Sequence, residues 1–145
     1  MNEMQLKFLS LSENEVFARN AVAAFALPLN PTLAELSDIK TAVSEAVTNC
    51  IVHGYQKQAG WIEIKCRLED NALHIEISDG GKGIENVEEA LTPFFTTLAE
   101  EERSGMGFTI MQTFMTNFSV QSSAGKGTTV RMSKFFGAQA EDHAG

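Results

Sequence analysis

"WIEIKCRLEDNALHIEISDGGKG", residues 61–83, alternates apolar and polar side chains twice, on either side of a short polar turn. Ile62, Ile64, Cys66 and Leu68 share one side of the first run, and Leu73, Ile75 and Ile77 share one side of the second. A period of two belongs to a strand with one buried face, so the spacing predicts an antiparallel hairpin turning at "EDNA", residues 69–72. The second strand ends on Asp79 and opens into Gly80, Gly81 and Gly83, where the chain must turn.

On the N-terminal side, "NPTLAELSDIKTAVSEAVTNCIVHGY", residues 30–55, changes period. Leu36, Ile39, Val43, Val47 and Cys50 recur at three and four residues, the signature of a long helix. Asn30 or Thr32 can cap it, Pro31 suits its first turn and Gly54 ends it. Earlier still, Leu6 and Phe8 in "QLKFLSL" suggest a short strand. Ser12 and Glu15 have capping-box spacing and open a helix from about Glu13 to Ala26, with Val16, Phe17, Ala21, Ala24 and Phe25 as its apolar face and Pro28 as its stop.

On the C-terminal side, residues 85–104 carry weak periodicity, Pro93 and the charge run "EEER", which reads as a long functional loop with a short helix. "GMGFTIMQTFM" then predicts a helix, "FSVQS" and "TTVRMS" a strand pair around "AGKG", and residues 137–145 a frayed tail. The order β-α-α-β-β-loop-α-β-β over residues 1–136 predicts one domain of the α/β class. Its expected form is an α+β two-layer sandwich, three helices covering one face of a mixed, mostly antiparallel sheet.

With 145 residues the chain can bury a continuous core without disulfides or structural metal. Eleven basic against 19 acidic residues leave a net charge of -8, which argues against direct nucleic-acid binding and for a protein or small ligand as partner. No apolar run reaches membrane-span length and "MNEMQLKF" lacks a secretory pattern, so a cytoplasmic protein without membrane contact is expected. Cys50 and Cys66 lack CxxC or Cys/His spacing and read as buried thiols.

Three short stretches can carry chemistry. Glu45, Asn49 and His53 lie four apart, with Glu45 opposite the apolar arc of its helix. An asparagine oxygen suits Mg²⁺, and a carboxylate one turn away can accept a proton; a solvated helix face has the same pattern. Asp79 can meet an amino group of a base while Gly81 and Gly83 let backbone approach a flat ligand, yet a tight turn also explains them. Lys82 belongs to no Walker loop. Gly105 and Gly107, ahead of a helix and beside Arg103 and Ser104, can bare backbone N–H groups to phosphate, or simply form a glycine-rich helix entry.

Taken jointly, E-x-x-x-N on a helix, DGGKG after a hairpin, GMGF before a helix and GKGT at a turn resemble the GHKL ATPases, the superfamily of gyrase-type, chaperone-type, histidine-kinase and mismatch-repair ATP-binding domains. The resemblance runs from the first helix to "GTTVRM". "SEAVTNCIVHGY", "PFFTT" and "ERSGMGFTIMQTFM" are most similar to its sporulation anti-sigma-F kinases.

That resemblance implies a Bergerat-type ATP-binding fold, ATP/ADP and Mg²⁺ as cofactors, and a homodimer. Its partners would be sigma factor F of RNA polymerase, held inactive, and an anti-anti-sigma factor phosphorylated on serine. Asn49 matches the Mg²⁺ ligand, Glu45 the carboxylate that activates the acceptor serine and Asp79 the adenine-reading carboxylate. Gly81 and Gly83 match the adenine loop and Thr128 its supporting threonine. Thr97, Ser104, Gly105, Met106, Gly107 and Phe108 match the phosphate-binding lid, Arg103 a contact to the terminal phosphate and Arg19 a sigma-factor contact.

Where several relatives have Lys after "FTT" this chain has Leu98, so no phosphate contact is assigned there. No phosphoacceptor histidine motif precedes the domain, which disfavours a sensor histidine kinase. The same motifs would serve a general-stress anti-sigma kinase, and also a nucleotide-gated module that sequesters its partner without phosphotransfer.

Overall fold

The computed structural model describes residues 1–91 and 107–137. At its centre is the expected hairpin: β2 (Trp61–Glu69) pairs antiparallel with β3 (Ala72–Asp79), placing Ile64 opposite Ile77 and Cys66 opposite Ile75. Asp70 and Asn71 turn the chain at φ 54° and 58°, the double left-handed geometry of a type I′ turn, which Asx residues tolerate best after glycine. β1 (Asn2–Leu9) pairs with β2, while β4 (Asn117–Ser122) and β5 (Thr128–Phe135) extend the other side in the order β1-β2-β3-β5-β4. All pairings in this five-stranded sheet are antiparallel, so the mostly antiparallel expectation is met in its strictest form.

One face of the sheet is buried. Ile62, Ile64, Leu73, Ile75, Ile77 and Met132 lie on it, each nearly sealed from solvent. Three helices cover that face: α1 (Ser12–Phe25), α2 (Leu33–Asn49) and, after the one-turn α3 (Val87–Ala90), α4 (Gly107–Phe114). α2 is the middle layer element, packed against both α1 and α4. Its Ile39, Val43 and Val47 are fully buried, each contributing about 1.5–3 kcal/mol of transfer free energy. The opposite sheet face is polar, with Arg131 paired to Glu76 at 3.2 Å across β3 and β5.

The helix ends follow their chemistry with one exception. Thr32, not Asn30, caps α2: its hydroxyl accepts from Glu35 N–H at 3.1 Å, and the Glu35 carboxylate accepts from Thr32 N–H at 2.8 Å. At α1 the expected capping box does not form. Leu11 occupies the cap, and the Glu15 carboxylate instead accepts from Arg19 at 3.1 Å and from the Ser44 hydroxyl at 2.7 Å.

The expected apolar face of α1 is also corrected. Ala18, Val22 and Ala23 are buried, whereas Val16 and Phe17 are 45% and 53% exposed. Close approach of α1 to α2 selects small side chains, and interior packing density leaves no room there for the larger ones. No helix among the described residues is long and apolar enough to cross a membrane.

α2 leaves the layer through a π turn, Cys50–Gly54, closed by the Tyr55 N–H on the Cys50 carbonyl at 2.9 Å. Such a widened turn rotates the side chains that follow it and is often found at functional sites. At the far end of the sheet, Lys134 points inward and donates to Asp38 on α2 at 3.1 Å and to the Phe114 carbonyl at 2.6 Å. The last turn of α4 is thereby tied to α2.

Candidate functional site

The π turn, the end of β3, the loop leading into α3 and the β4–β5 turn enclose a cavity of about 450 Å³, within the range of small-ligand sites. Asn49, Asp79, Gly83, Phe108 and Thr128 line it together. These residues come from four separate stretches of sequence, brought to one place because β3 pairs with β5 and α2 ends beside β3.

Asp79 is the last residue of β3, opposite Thr128 in register. Its Oδ1 accepts from Gly81 N–H at 2.9 Å, and its carboxylate also accepts from the Thr128 N–H and the Cys50 thiol. Burial pushes the Asp79 carboxyl above its usual range, while these three donors pull it back toward ionisation. The Cys50 thiol is held far above its ordinary value, first by burial and then by the Asp79 charge, so it stays protonated and able to donate. Asp79 fits against the π turn because residue 54 has no side chain: a Cβ on Gly54 would lie 2.9 Å from the carboxylate.

The turn after Asp79 is built by close backbone contacts. Lys82 N–H donates to the Gly54 carbonyl at 2.9 Å, and a Cβ on Gly81 would collide with that carbonyl group. Gly83 has φ +73° and lies directly against the Ser123 carbonyl, where a side chain would be both strained and obstructed. Ser122 joins the two turns: its hydroxyl accepts from Ile84 N–H at 2.8 Å, donates to the Gly127 carbonyl at 2.9 Å and lies 2.7 Å from the Thr128 hydroxyl. The outcome is a rigid ledge presenting one partly desolvated carboxylate to the cavity.

Asn49, at the C-terminal end of α2, supplies the opposite chemistry. Among the described residues its Oδ1 is buried without a hydrogen-bond partner, a costly state for a carbonyl oxygen that a hard cation would relieve. A Cβ on Gly107 would lie 3.1 Å from the Asn49 amide, so the glycine before Phe108 lets the start of α4 approach this side chain. Glu45, half-buried, sits one helical turn before Asn49. His53 lines the same cavity.

Arg19 lies apart from the cavity on α1, tied to Glu15 and Ser44. Thr97, Leu98, Arg103, Ser104, Gly105 and Met106, assigned to the lid or beside it, lie outside the described residues. Sequence reasoning missed Cys50, Ser122 and Tyr55 as supports of the ledge. Cys50 was legible only as a buried thiol, and Ser122 and Tyr55 gave no signal beyond strand alternation and the string "HGY".

Residues 10–134 match the family model of the histidine kinase-like ATPase domain. The chain is 60% identical over 137 residues to the anti-sigma F factor of Thermoanaerobacter sp. (strain X514), spanning 94% of this chain and 96% of that one. It is 55% identical over 135 residues to the anti-sigma F factor of Clostridium acetobutylicum, spanning 93% and 94%. Among solved structures, the RsbU and RsbW domains of Rv1364c from Mycobacterium tuberculosis align at TM-score 0.67 and 17% identity, over 93% of this chain and 32% of that one. The catalytic domain of the histidine kinase ThkA aligns at TM-score 0.53 and 15% identity, over 92% and 95%. At such identities the two structures establish the shared fold.

Proposed function

Because the chain belongs to the histidine kinase-like ATPase domain family and, within it, to the anti-sigma F factors, we propose that this anti-sigma factor is an ATP-dependent protein-serine kinase. It binds sporulation sigma factor F, phosphorylates a serine of the matching anti-anti-sigma factor, and changes partner affinity with ATP or ADP bound. The observation that carries the nucleotide part is the pairing, in one cavity, of a partly desolvated carboxylate at Asp79 with the orphaned oxygen of Asn49.

Asp79 accepts a hydrogen bond from the amino group of adenine, with Thr128 and the Gly81–Gly83 ledge holding the ring plane. Asn49 would hold Mg²⁺, which neutralises phosphate charge that a chain of net charge -8 otherwise repels. Glu45 takes the proton from the acceptor serine as its oxygen attacks the terminal phosphorus and ADP leaves. Thr97, the run from Ser104 to Phe108, and Arg103 are assigned to contacts with the phosphates. Their contacts to the γ-phosphate give the nucleotide a way to bias partner binding, limited by its differential affinity for the two states.

The protein-binding half of the reading rests on α1. Val16 and Phe17 are exposed there, and Arg19 follows Val16 by three residues, on a neighbouring part of the helix surface. We assign this surface to the sigma factor, in a homodimer whose subunit is a single cytoplasmic kinase domain of residues 1–136 with a short tail, residues 137–145.

Glu45→Ala is the deciding variant. It should lower phosphoserine formation on the anti-anti-sigma protein by about 10²- to 10⁴-fold while ATP binding and sigma-factor binding persist. Unchanged transfer would remove Glu45 from the chemistry. Absence of transfer in the wild-type protein, with nucleotide-dependent sigma binding intact, would favour the sequestering module instead.

A further inference from the structure

Tyr55 closes the π turn at the end of α2, yet its side chain reaches the opposite flank of the ledge. Its hydroxyl donates to the Trp61 carbonyl at 2.5 Å and accepts from the Gly80 N–H at 2.7 Å. The ring lies where residue 60 has no side chain: a Cβ on Gly60 would come within 2.3 Å of the ring carbons. Gly60 is in turn fixed to the end of β1, its N–H donating to the Ser10 hydroxyl at 2.9 Å. The phenol is therefore set between a glycine shelf and the first residue of β2.

We propose that Tyr55 is a positioning residue for nucleotide recognition, its hydroxyl holding the Gly80 peptide so that Asp79 presents its carboxylate in one direction. The inference rests on the reading of Asp79 as the base-recognising group. Beyond Gly81 the turn is held at Lys82, whose N–H donates to the Gly54 carbonyl and whose carbonyl accepts from the Gly125 N–H at 2.6 Å, and at Ile84, whose N–H donates to Ser122. The Tyr55 hydroxyl holds it on the near side of Gly81, at the peptide next to Asp79, so the turn is fixed at both ends. The Gly80 N–H is solvent-accessible enough for water to replace the phenol, so what Tyr55 adds is direction more than stability. Preorganisation of that kind appears as affinity for the group being recognised.

The test compares ADP with IDP, whose base carries a carbonyl where adenine carries its amino group. In Tyr55→Phe the ADP:IDP affinity ratio should fall about three- to tenfold, the worth of one oriented hydrogen bond, with IDP affinity unchanged. Gly60→Ala, which keeps the phenol but displaces its ring and hydroxyl together, should lower the same ratio and covers the case in which Tyr55→Phe folds poorly. An unchanged ratio in a folded variant overturns the proposal, as does an equal loss for both nucleotides, which marks a purely structural role. A wild-type protein that binds ADP and IDP equally sinks the base-reading assignment of Asp79 instead.

Discussion

Asp79 sits between opposing influences: burial favours its neutral form, and donors from Gly81, Cys50 and Thr128 favour the anion. Burial prevails, so its folded pKa lies above the ordinary value of 3.8 and the native state binds that proton more tightly than the unfolded chain. The contribution to stability is full below 3.8 and is lost as pH rises through the folded value. Recognition of an amino group runs the other way, since only the anion is a strong acceptor.

We therefore expect the Tm of the nucleotide-free protein, measured relative to Asp79→Asn, to decline with pH across that interval while ADP affinity climbs. A flat difference in Tm would contradict the stated shift. The carboxylate was legible in the sequence only through the joint order of motifs, because an aspartate leaving a strand into glycines is by itself an ordinary tight turn. Its thiol donor was not: Cys50 belongs to a helix with an ordinary core pattern, and only the π turn brings it under Asp79.

Among the elements, β2 and β3 could be read residue by residue because alternation is enforced wherever one sheet face is buried. α1 was misread for the converse reason. Hydropathy ranks Val16 and Phe17 above Ala18 and Ala23, but a helix pressed against its neighbour buries what fits and leaves larger apolar groups outside. We assign the exposed pair to a partner surface; helix periodicity in one chain cannot separate such a surface from a core. α4 shows how an element without a strong sequence signature is fixed. It has eight residues and is anchored at its last carbonyl by Lys134, which also bonds Asp38 on α2.

Replacing Lys134 by Met keeps much of the apolar stem and removes the donor, leaving the Phe114 carbonyl and Asp38 without it. The expected loss is about 1–3 kcal/mol, seen as a lower urea midpoint at unchanged m-value. A loss within a few tenths would show that water serves the α4 terminus as well as the ammonium does.

For the whole molecule, the acidic net charge and the nucleotide phosphates proposed for the cavity are in tension, which the magnesium proposed at Asn49 would resolve. The long helix, the hairpin and the glycine ledge were visible in sequence as separate periodicities, yet nothing in any one of them says that Asn49 and Asp79 face a common space. That follows from β5 pairing with β3 and from α2 ending where β3 ends, both non-local facts. A ligand that binds only the native state raises stability by mass action. With Mg-ADP at about 100 times its Kd the gain is about 2.7 kcal/mol, or about 5–10 °C in Tm for a domain of this size.

The gain should divide into a part present with ADP in EDTA and a part that appears only with magnesium. Because the Asn49 oxygen has no partner among the described residues, Asn49→Ala costs no hydrogen bond seen at that atom, so the free variant should melt near the wild type. The magnesium-dependent increment should vanish in the variant, while the metal-independent increment, which rests on Asp79 and the ledge, should remain. Thermal shifts of both proteins under the two conditions measure all four quantities. A magnesium increment equal to that of the wild type would take the cation away from Asn49, and loss of both increments would mean that Asn49 shapes the cavity itself.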